Sequence, residues 1–246
     1  MNIKTPPQFQ VGVLSTLTAP LLPRLLQALF ESRIRGVCVL LDSKQQSEKD
    51  RRIWQERTEG AFAGGPSLHD FTSHGLAIYA VRSHNDEECI DLIKRLDLSL
   101  LINGGTPRKL NSGMLKSVPQ GVINVHPGVL PKYRGASCVE WAIYNDERVG
   151  NTAHFMADGY DEGPIIQIES YDFSHVDTYR SIRVKTYRES IRLMAETVKK
   201  VLHQRLTPDD GQIQGAGELF PPIPDEKMEQ VLIKVAAKSY RYMRAS

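Results

Sequence analysis

Leu98-Ser99-Leu100-Leu101-Ile102 runs into Asn103-Gly104-Gly105-Thr106-Pro107, and Gly121-Val122-Ile123-Asn124-Val125 runs into His126-Pro127-Gly128. Each is a short apolar run of buried-strand type that breaks at once into a loop bearing Gly or Pro. Upstream the same unit repeats. Val11 to Leu14, Gly36 to Leu41 and Leu76 to Val81 read as strands. Leu21 to Phe30 reads as a helix with Pro20 and Pro23 near its first turn. Cys89, Leu92, Ile93 and Leu96 recur at helical spacing within Asp86 to Leu96, and a short helix is expected from Arg108 to Leu115. Ser43 to Gly65 is polar and charged, with room for a helix before a loop at Gly64-Gly65-Pro66. Strands alternating with helices predict an α/β fold, a mainly parallel open sheet with helices on both faces. Ligands of such sheets bind beyond the carboxyl ends of the strands. The loops after Ile102 and Val125 are therefore where a site is expected.

Downstream, Cys138 to Tyr144 reads as a helix, and Thr152 to Met156 and Ile165 to Tyr171 as strands around a loop, Ala157 to Pro164. A long helix is expected from Asp177, because Tyr187, Ile191, Met194, Ala195, Val198, Val201 and Leu202 fall on one face. Its Arg and Lys residues then form a solvated face. A Gly/Pro-rich stretch follows to Pro224, with a last helix over Glu226 to Lys238. The expected organisation is a catalytic α/β domain over 1–205 and a short C-terminal appendage over 206–246.

Composition excludes several classes. The 246 residues are 41% hydrophobic and 24% charged, ordinary globular values that rule out wholesale disorder. A net charge of +2 offers no field for nucleic acid or an anionic membrane as the main partner. Cys38, Cys89 and Cys138 are isolated, which suits a reducing cytoplasm, the expected location. The N-terminal stretch lacks a charged region followed by a long apolar run, so no signal peptide is expected. No apolar run approaches the ~20 residues of a membrane span. The remaining histidines, His69, His74, His84, His175 and His203, show no metal-ligand spacing, and no metal is expected. Trp54 and Trp141 read as packing or acceptor-pocket residues.

The chemistry gathers in Asn124-Val125-His126-Pro127-Gly128-Val129-Leu130-Pro131-Lys132-Tyr133-Arg134-Gly135. In a strand, Asn124 and His126 point to the same face. An amide and an imidazole side by side can both donate to one developing oxyanion, and the imidazole can move a proton. A second segment, Thr152-Ala153-His154 through Asp161-Glu162-Gly163, brings a carboxylate in a Gly-rich turn that can orient His126 and favour its charged form.

These two segments resemble the folate-dependent formyltransferase family. Its pattern is Asn-x-His-Pro-x-x-Leu-Pro-x-x-x-Gly, then Thr-x-His and Asp-x-Gly, with the Asp about 35 residues after the first His. Asn124, His126, Pro127, Leu130, Pro131, Gly135, Thr152, His154, Asp161 and Gly163 meet it. The resemblance is clear from about Ile102 to Tyr171 and, by element order, extends to about residue 205. It implies a Rossmann-like fold, Asn124, His126 and Asp161 as the catalytic trio, and 10-formyltetrahydrofolate as formyl donor. It places the pterin end of the donor between Pro107-Arg108-Lys109-Leu110 and the loop from Met156, Ala157 and Asp158 to Asp161. Arg82 falls by spacing where the purine enzyme has a folate-contacting arginine. Asn124 and protonated His126 would stabilise the oxyanion, with Asp161 raising the His126 pKa.

Departures from the pattern direct the choice of acceptor. Gly128 stands where the purine and tRNA enzymes usually have Ser. Ser15-Thr16-Leu17-Thr18-Ala19-Pro20 has no glycine, where the glycinamide ribonucleotide enzyme has a Gly-rich phosphate loop. The tail after Leu206 is too short for the barrel of methionyl-tRNA formyltransferase. The expected acceptor is therefore a small-molecule amine, a nucleotide-linked amino sugar, touched by Lys132, Tyr133 and Arg134 close to His126. Glycinamide ribonucleotide, another small amine, and water in a 10-formyltetrahydrofolate hydrolase are the alternatives. The tail is left for packing or a homodimer contact.

Overall fold

The computed structural model describes residues 9–244. The first eight residues of the stretch read for a signal peptide, and the last two of the appendage, lie outside them. Five strands alternate with helices as expected: β1 (Val11–Thr16), α1 (Leu22–Glu31), β2 (Val37–Asp42), α2 (Glu48–Thr58), β3 (Ala77–Val81), α3 (Glu87–Arg95), β4 (Leu100–Asn103), α4 (Ser112–Leu115) and β5 (Val122–His126). Then come β6 (Tyr133–Gly135), α5 (Cys138–Tyr144), β7 (Val149–Phe155), β8 (Ile165–Tyr171), β9 (Phe173–Ser174) and α6 (Tyr179–Gln204). The chain closes with β10 (Glu218–Phe220), α7 (Asp225–Ala236) and β11 (Met243–Arg244).

Seven strands form one sheet in the order β3-β2-β1-β4-β5-β7-β8. The first five are parallel, and β7 and β8 run antiparallel at the β5 edge. Parallel strands covered on both faces read as continuous apolar runs, and here the alternation divides them between two cores. Val11, Val13, Val37, Val39, Leu100 and Ile102 face α1 and α6, meeting Leu22, Leu26, Leu29, Met194, Val198 and Val201. Leu14, Cys38, Leu40, Leu101 and Val122 face α3 and α4, meeting Cys89, Ile93 and Met114. Truncating one of these, such as Leu26→Ala, would cost about 2–5 kcal/mol.

Two helices differ from their expected form for local reasons. The short helix begins at Ser112, not Arg108, because Asn111 caps it: its side chain accepts from the Met114 N–H at 2.8 Å. The residues before it are drawn into a polar network described below. The apolar face read for α6 is only partly core. Met194, Ala195, Val198 and Val201 are buried, whereas Ile191 faces a cleft.

The tail is woven into the chain. Strand β10 pairs with β6, β11 pairs with β9, and Val231 and Val235 of α7 pack on Val139, Ala142 and Ile143 of α5. Among the described residues, no helix is long and apolar enough to cross a membrane.

Candidate active site

Strand β5 ends at the carboxyl edge of the sheet with Asn124 and His126 on one face. The antiparallel register sets His154 opposite Asn124 and Thr152 opposite His126. Directly opposed residues share a face, so the two motif segments meet here. Asn103, from the end of β4, donates through Nδ2 to Asn124 Oδ1 at 3.0 Å. Asn103 Oδ1 accepts from the Gly105 and Thr106 N–H groups at 3.0 and 2.9 Å. Asn124 Nδ2 donates to His154 Nε2 at 3.2 Å, and His154 Nδ1 donates to the Phe155 carbonyl at 2.8 Å. Each of these bonds pairs a donor with an acceptor, which orients both amides. Asn124 is left with one N–H to offer the cleft.

His126 sits behind that amide and is 4% exposed. Its Nε2 donates to the Tyr133 carbonyl at 2.9 Å, and its Nδ1 lies 3.3 Å from Asp161 Oδ2. A Cβ on Gly128 would stand 2.6 Å from Nε2 and 2.7 Å from that carbonyl, so glycine is what lets the loop close on the ring. Burial pulls the imidazole below its ordinary range, and the Asp161 charge opposes this without reversing it. The sequence-based expectation of a raised His126 pKa is therefore corrected. The carboxylate acts in the expected direction, but desolvation of a ring this enclosed outweighs it.

Asp161 lies in a turn with a left-handed backbone, φ 55°. Its Oδ2 accepts from the Gly135 N–H at 2.9 Å. Burial alone would push its carboxyl up, but the His154 and His126 rings and that N–H bring it below the usual carboxylate range. The turn needs Gly163, since a Cβ there would stand 1.7 Å from the Phe155 carbonyl oxygen. Gln214 of the tail braces it, donating to the carbonyls of Asp161 at 2.9 Å and Gly163 at 2.6 Å.

Two cavities meet at Asn103 and Asn124. One, of about 340 Å³, is walled by Pro107, Arg108, Lys109 and Leu110 on one side and by Met156, Ala157 and Tyr160 on the other, with His154 and Asp161 at its floor. Lys109 Nζ reaches over the Tyr160 ring at 5.0 Å and joins the two walls. The first wall is tied down from behind. Arg108 donates to both oxygens of the buried Asp42 at 2.7 and 3.1 Å, and the His84 ring bonds to Thr106 Oγ1 at 2.7 Å and to the Leu40 carbonyl at 2.9 Å. The other cavity, of about 230 Å³, opens between α1, α2 and α6. Ala19, Pro20, Leu25, Trp54, Ile191 and Met194 make it largely apolar, and Gln46 and Ser190 add polar groups.

Of the residues singled out from sequence, Asn124, Asp161, Pro107, Arg108, Lys109, Leu110, Met156 and Ala157 line this pair of cavities, and Asp158 does not. Arg82 is exposed and pairs with Asp86 at 2.7 Å, away from both. Lys132, Tyr133 and Arg134 are not brought to the cleft. Lys132 pairs with Glu147 at 2.6 Å, and Tyr133 is 1% exposed and stacks on Phe220. Arg134 bonds Gln214 at 3.0 Å and the Gly215 carbonyl at 2.9 Å behind the Asp161 turn. The reason is β6: Tyr133 and Arg134 lie in an extended strand paired with β10, and Lys132 in the turn that leads into it. Sequence reading missed Asn103, Gln46, Ser190 and Gln214. Asn103 stood at a strand end beside the expected site and was the one with a local signal.

A mainly parallel α/β sheet, with its cavities at the carboxyl ends of its strands and a buried His–carboxylate couple between them, defines the class of protein. The formyl transferase family model matches residues 10–198, and the chain belongs to that family. It is 30% identical over 140 residues to methionyl-tRNA formyltransferase of Kosmotoga olearia, covering 56% of this chain and 45% of that protein. The chain thus spans about half or less of the length of the curated relatives it matches. Its fold is similar to glycinamide ribonucleotide transformylase 1 of Symbiobacterium toebii, with TM-score 0.61, 20% identity, and 85% of this chain and 95% of that one covered. It is also similar to an N-formyltransferase of Helicobacter canadensis solved with folinic acid and dTDP-3-aminofucose. There the TM-score is 0.59 and the identity 14%, with 97% of this chain and 84% of that one covered.

Proposed function

We propose that the chain transfers the formyl group of 10-formyltetrahydrofolate to a primary amine, and that the amine belongs to a nucleotide-linked amino sugar. The observation that carries the transfer is the pair of cavities meeting at Asn124, one for each reactant. The cavity walled by residues 107–110 and 156–161 suits the donor: Pro107, Leu110 and Met156 offer flat apolar contact, and Asn103, Arg108 and Asp161 a polar rim. When bound, the donor supplies an activated formyl carbon. The amine bonds to that carbon, the carbon–N10 bond breaks, and the amine's proton ends on N10.

The chain's own groups serve each stage. The free N–H of Asn124 donates to the oxyanion as it develops. Asp161 stands between the cleft and His126, so a proton leaving the amine reaches the carboxylate and is shared with Nδ1, 3.3 Å away. Burial favours the neutral His126 ring, which can take that proton; Asp161 steadies the imidazolium and passes the proton on to N10 as the carbon–N10 bond breaks.

Three features favour the amino sugar. Among the described residues, no Lys or Arg lines the cavity beside Asn124 to answer a phosphate there. The turn after β1 uses its own donors, the Ala19 N–H bonding the Thr16 carbonyl and the Leu22 N–H the Ala19 carbonyl, and Pro23 has none to give. The Helicobacter canadensis protein, whose structure holds dTDP-3-aminofucose, is matched over nearly the whole of this chain. The test is a screen of amino-sugar nucleotides, glycinamide ribonucleotide and Met-tRNA with 10-formyltetrahydrofolate, following tetrahydrofolate release, with a no-amine control. The highest kcat/KM is expected for an amino-sugar nucleotide. A clear preference for glycinamide ribonucleotide would overturn the acceptor. Equal release without amine would make the chain a hydrolase.

A further inference from the structure

The acceptor-side cavity continues past Trp54 into a second hollow of about 280 Å³, with Pro20, Gln46 and Trp54 shared between the two. Its wall is one face of α2, where Arg51, Trp54, Gln55 and Thr58 recur at i, i+3, i+4 and i+7. On a helix packed against a core such a stripe is apolar. Here it carries a guanidinium and a carboxamide. Among the described residues, the Arg51, Gln46 and Gln55 side chains have no partner, and no Asp or Glu lines the hollow. The neighbouring arginines of α2 are engaged elsewhere, Arg52 with Glu56 and Arg57 with Glu140 and Ser137. Trp54 stands at the junction, held by Tyr187 at 4.5 Å and Phe62 at 5.6 Å between ring centres.

We propose that this hollow binds the nucleoside diphosphate end of the acceptor, resting on the reading above that the acceptor is a nucleotide-linked sugar. Arg51 is the counter-cation of the diphosphate, Trp54 the platform on which a ring stacks, and Gln46 and Gln55 amides that both donate and accept at a base edge. From Arg51 to Gln55 the helix rises ~6 Å, about the reach of a diphosphate. The smaller apolar cavity beside Asn124 is then left to the amino sugar. The cation sits away from the formyl centre, where it binds the acceptor without disturbing the proton transfer at Asp161.

UDP and dTDP are the probes, titrated calorimetrically into the full chain. The wild type is expected to bind at least one. Arg51→Gln should weaken that binding roughly 10- to 100-fold, as loss of a charge-assisted contact does. Trp54→Ala should weaken it about 10-fold. With the amino-sugar nucleotide, Arg51→Gln should raise the acceptor KM with kcat and donor affinity little changed. Arg51 is exposed on α2, so the variant is expected to fold, which circular dichroism checks. Unchanged nucleotide affinity in both variants would overturn the site and leave the acceptor reading standing. No affinity of the wild type for either nucleotide, together with turnover of an amine bearing none, would overturn both and leave formyl transfer itself intact.

Discussion

The two sides of the cleft are built differently. On the proposed donor side the wall of residues 106–108 is pinned by the buried Asp42 and His84, and the half-buried Asn103, Gln214 and Gly135 hold Gly105 and the Asp161 turn. On the proposed acceptor side, α2 has one buried residue, Thr58, and docks through Trp54 on Tyr187 and Arg57 on Glu140, with Phe62 of the loop after it against the same tyrosine. A site with paired buried donors is preorganised and tolerates little change. A peripheral polar helix can change its exposed side chains at small cost to the fold. Chemistry common to a family belongs on the first kind of surface, and choice of acceptor on the second.

The largest effect should come from the point where the two sides meet. Asn124→Ala removes the one N–H offered to the cleft and breaks the bond chain from Asn103 to His154. Its kcat should fall ~100- to 1000-fold, the usual cost of one oxyanion donor, while donor affinity changes far less. Stopped-flow turnover with donor titration separates the two. Near-normal turnover in a folded variant would remove the amide from the mechanism.

Asp161→Asn should rank next. It keeps the Gly135 and Gln214 contacts available but deletes the charge that opposes the burial of His126. The His126 pKa should fall further, so the acidic limb of the pH–rate profile moves to lower pH and kcat drops about 100-fold, the low end for one acid–base group. An unmoved limb with an unchanged rate would make Asp161 a shaper of the turn only.

This is also where sequence and structure part. The mainly parallel sheet and the motif residues of β5, β7 and the Asp161 turn were legible, because period, turn chemistry and motif spacing are local, whereas the strand order and its edges were not. Whether His126 ends above or below its ordinary pKa was not, since burial is decided by Gly128 and Tyr133 closing over the ring. Tyr133 itself was misplaced because β6 pairs with β10, more than 80 residues on, and a short non-local pairing leaves no periodic trace. Trp54 was legible as a packing or acceptor-pocket residue, and Arg51 only as part of a charged helix; that both line one hollow follows from how α2 docks on α6.

A smaller effect should appear in stability. His84 and His126 are both held below the ordinary imidazole range by burial. Each binds fewer protons folded than unfolded, so its contribution is complete above an unfolded pKa of ~6.5 and is lost as pH falls below it toward the folded values. Tm should therefore decline between about pH 6.5 and 5, before the lowered carboxylates Asp42 and Asp161 begin to titrate. A flat Tm across that window would mean that the rings are not held neutral by burial.

The smallest effects should come from the two cations that sequence spacing placed at the site and the structure turns away from it. Arg82 pairs with Asp86 four residues on, with most of its side chain in solvent, and Lys132, in the turn before β6, pairs with Glu147 at the surface. Exposed pairs of this kind contribute about 0–1 kcal/mol. Arg82→Ala and Lys132→Ala should leave kcat and both KM values within about twofold of wild type, in contrast to Arg51→Gln. A rise in donor KM for Arg82→Ala would show that this arginine swings from Asp86 to the bound folate, and would make the donor side less rigid than its hydrogen bonds suggest. A rise in acceptor KM for Lys132→Ala would move the acceptor across the sheet edge, away from α2, and sink the division of labour drawn between the two sides.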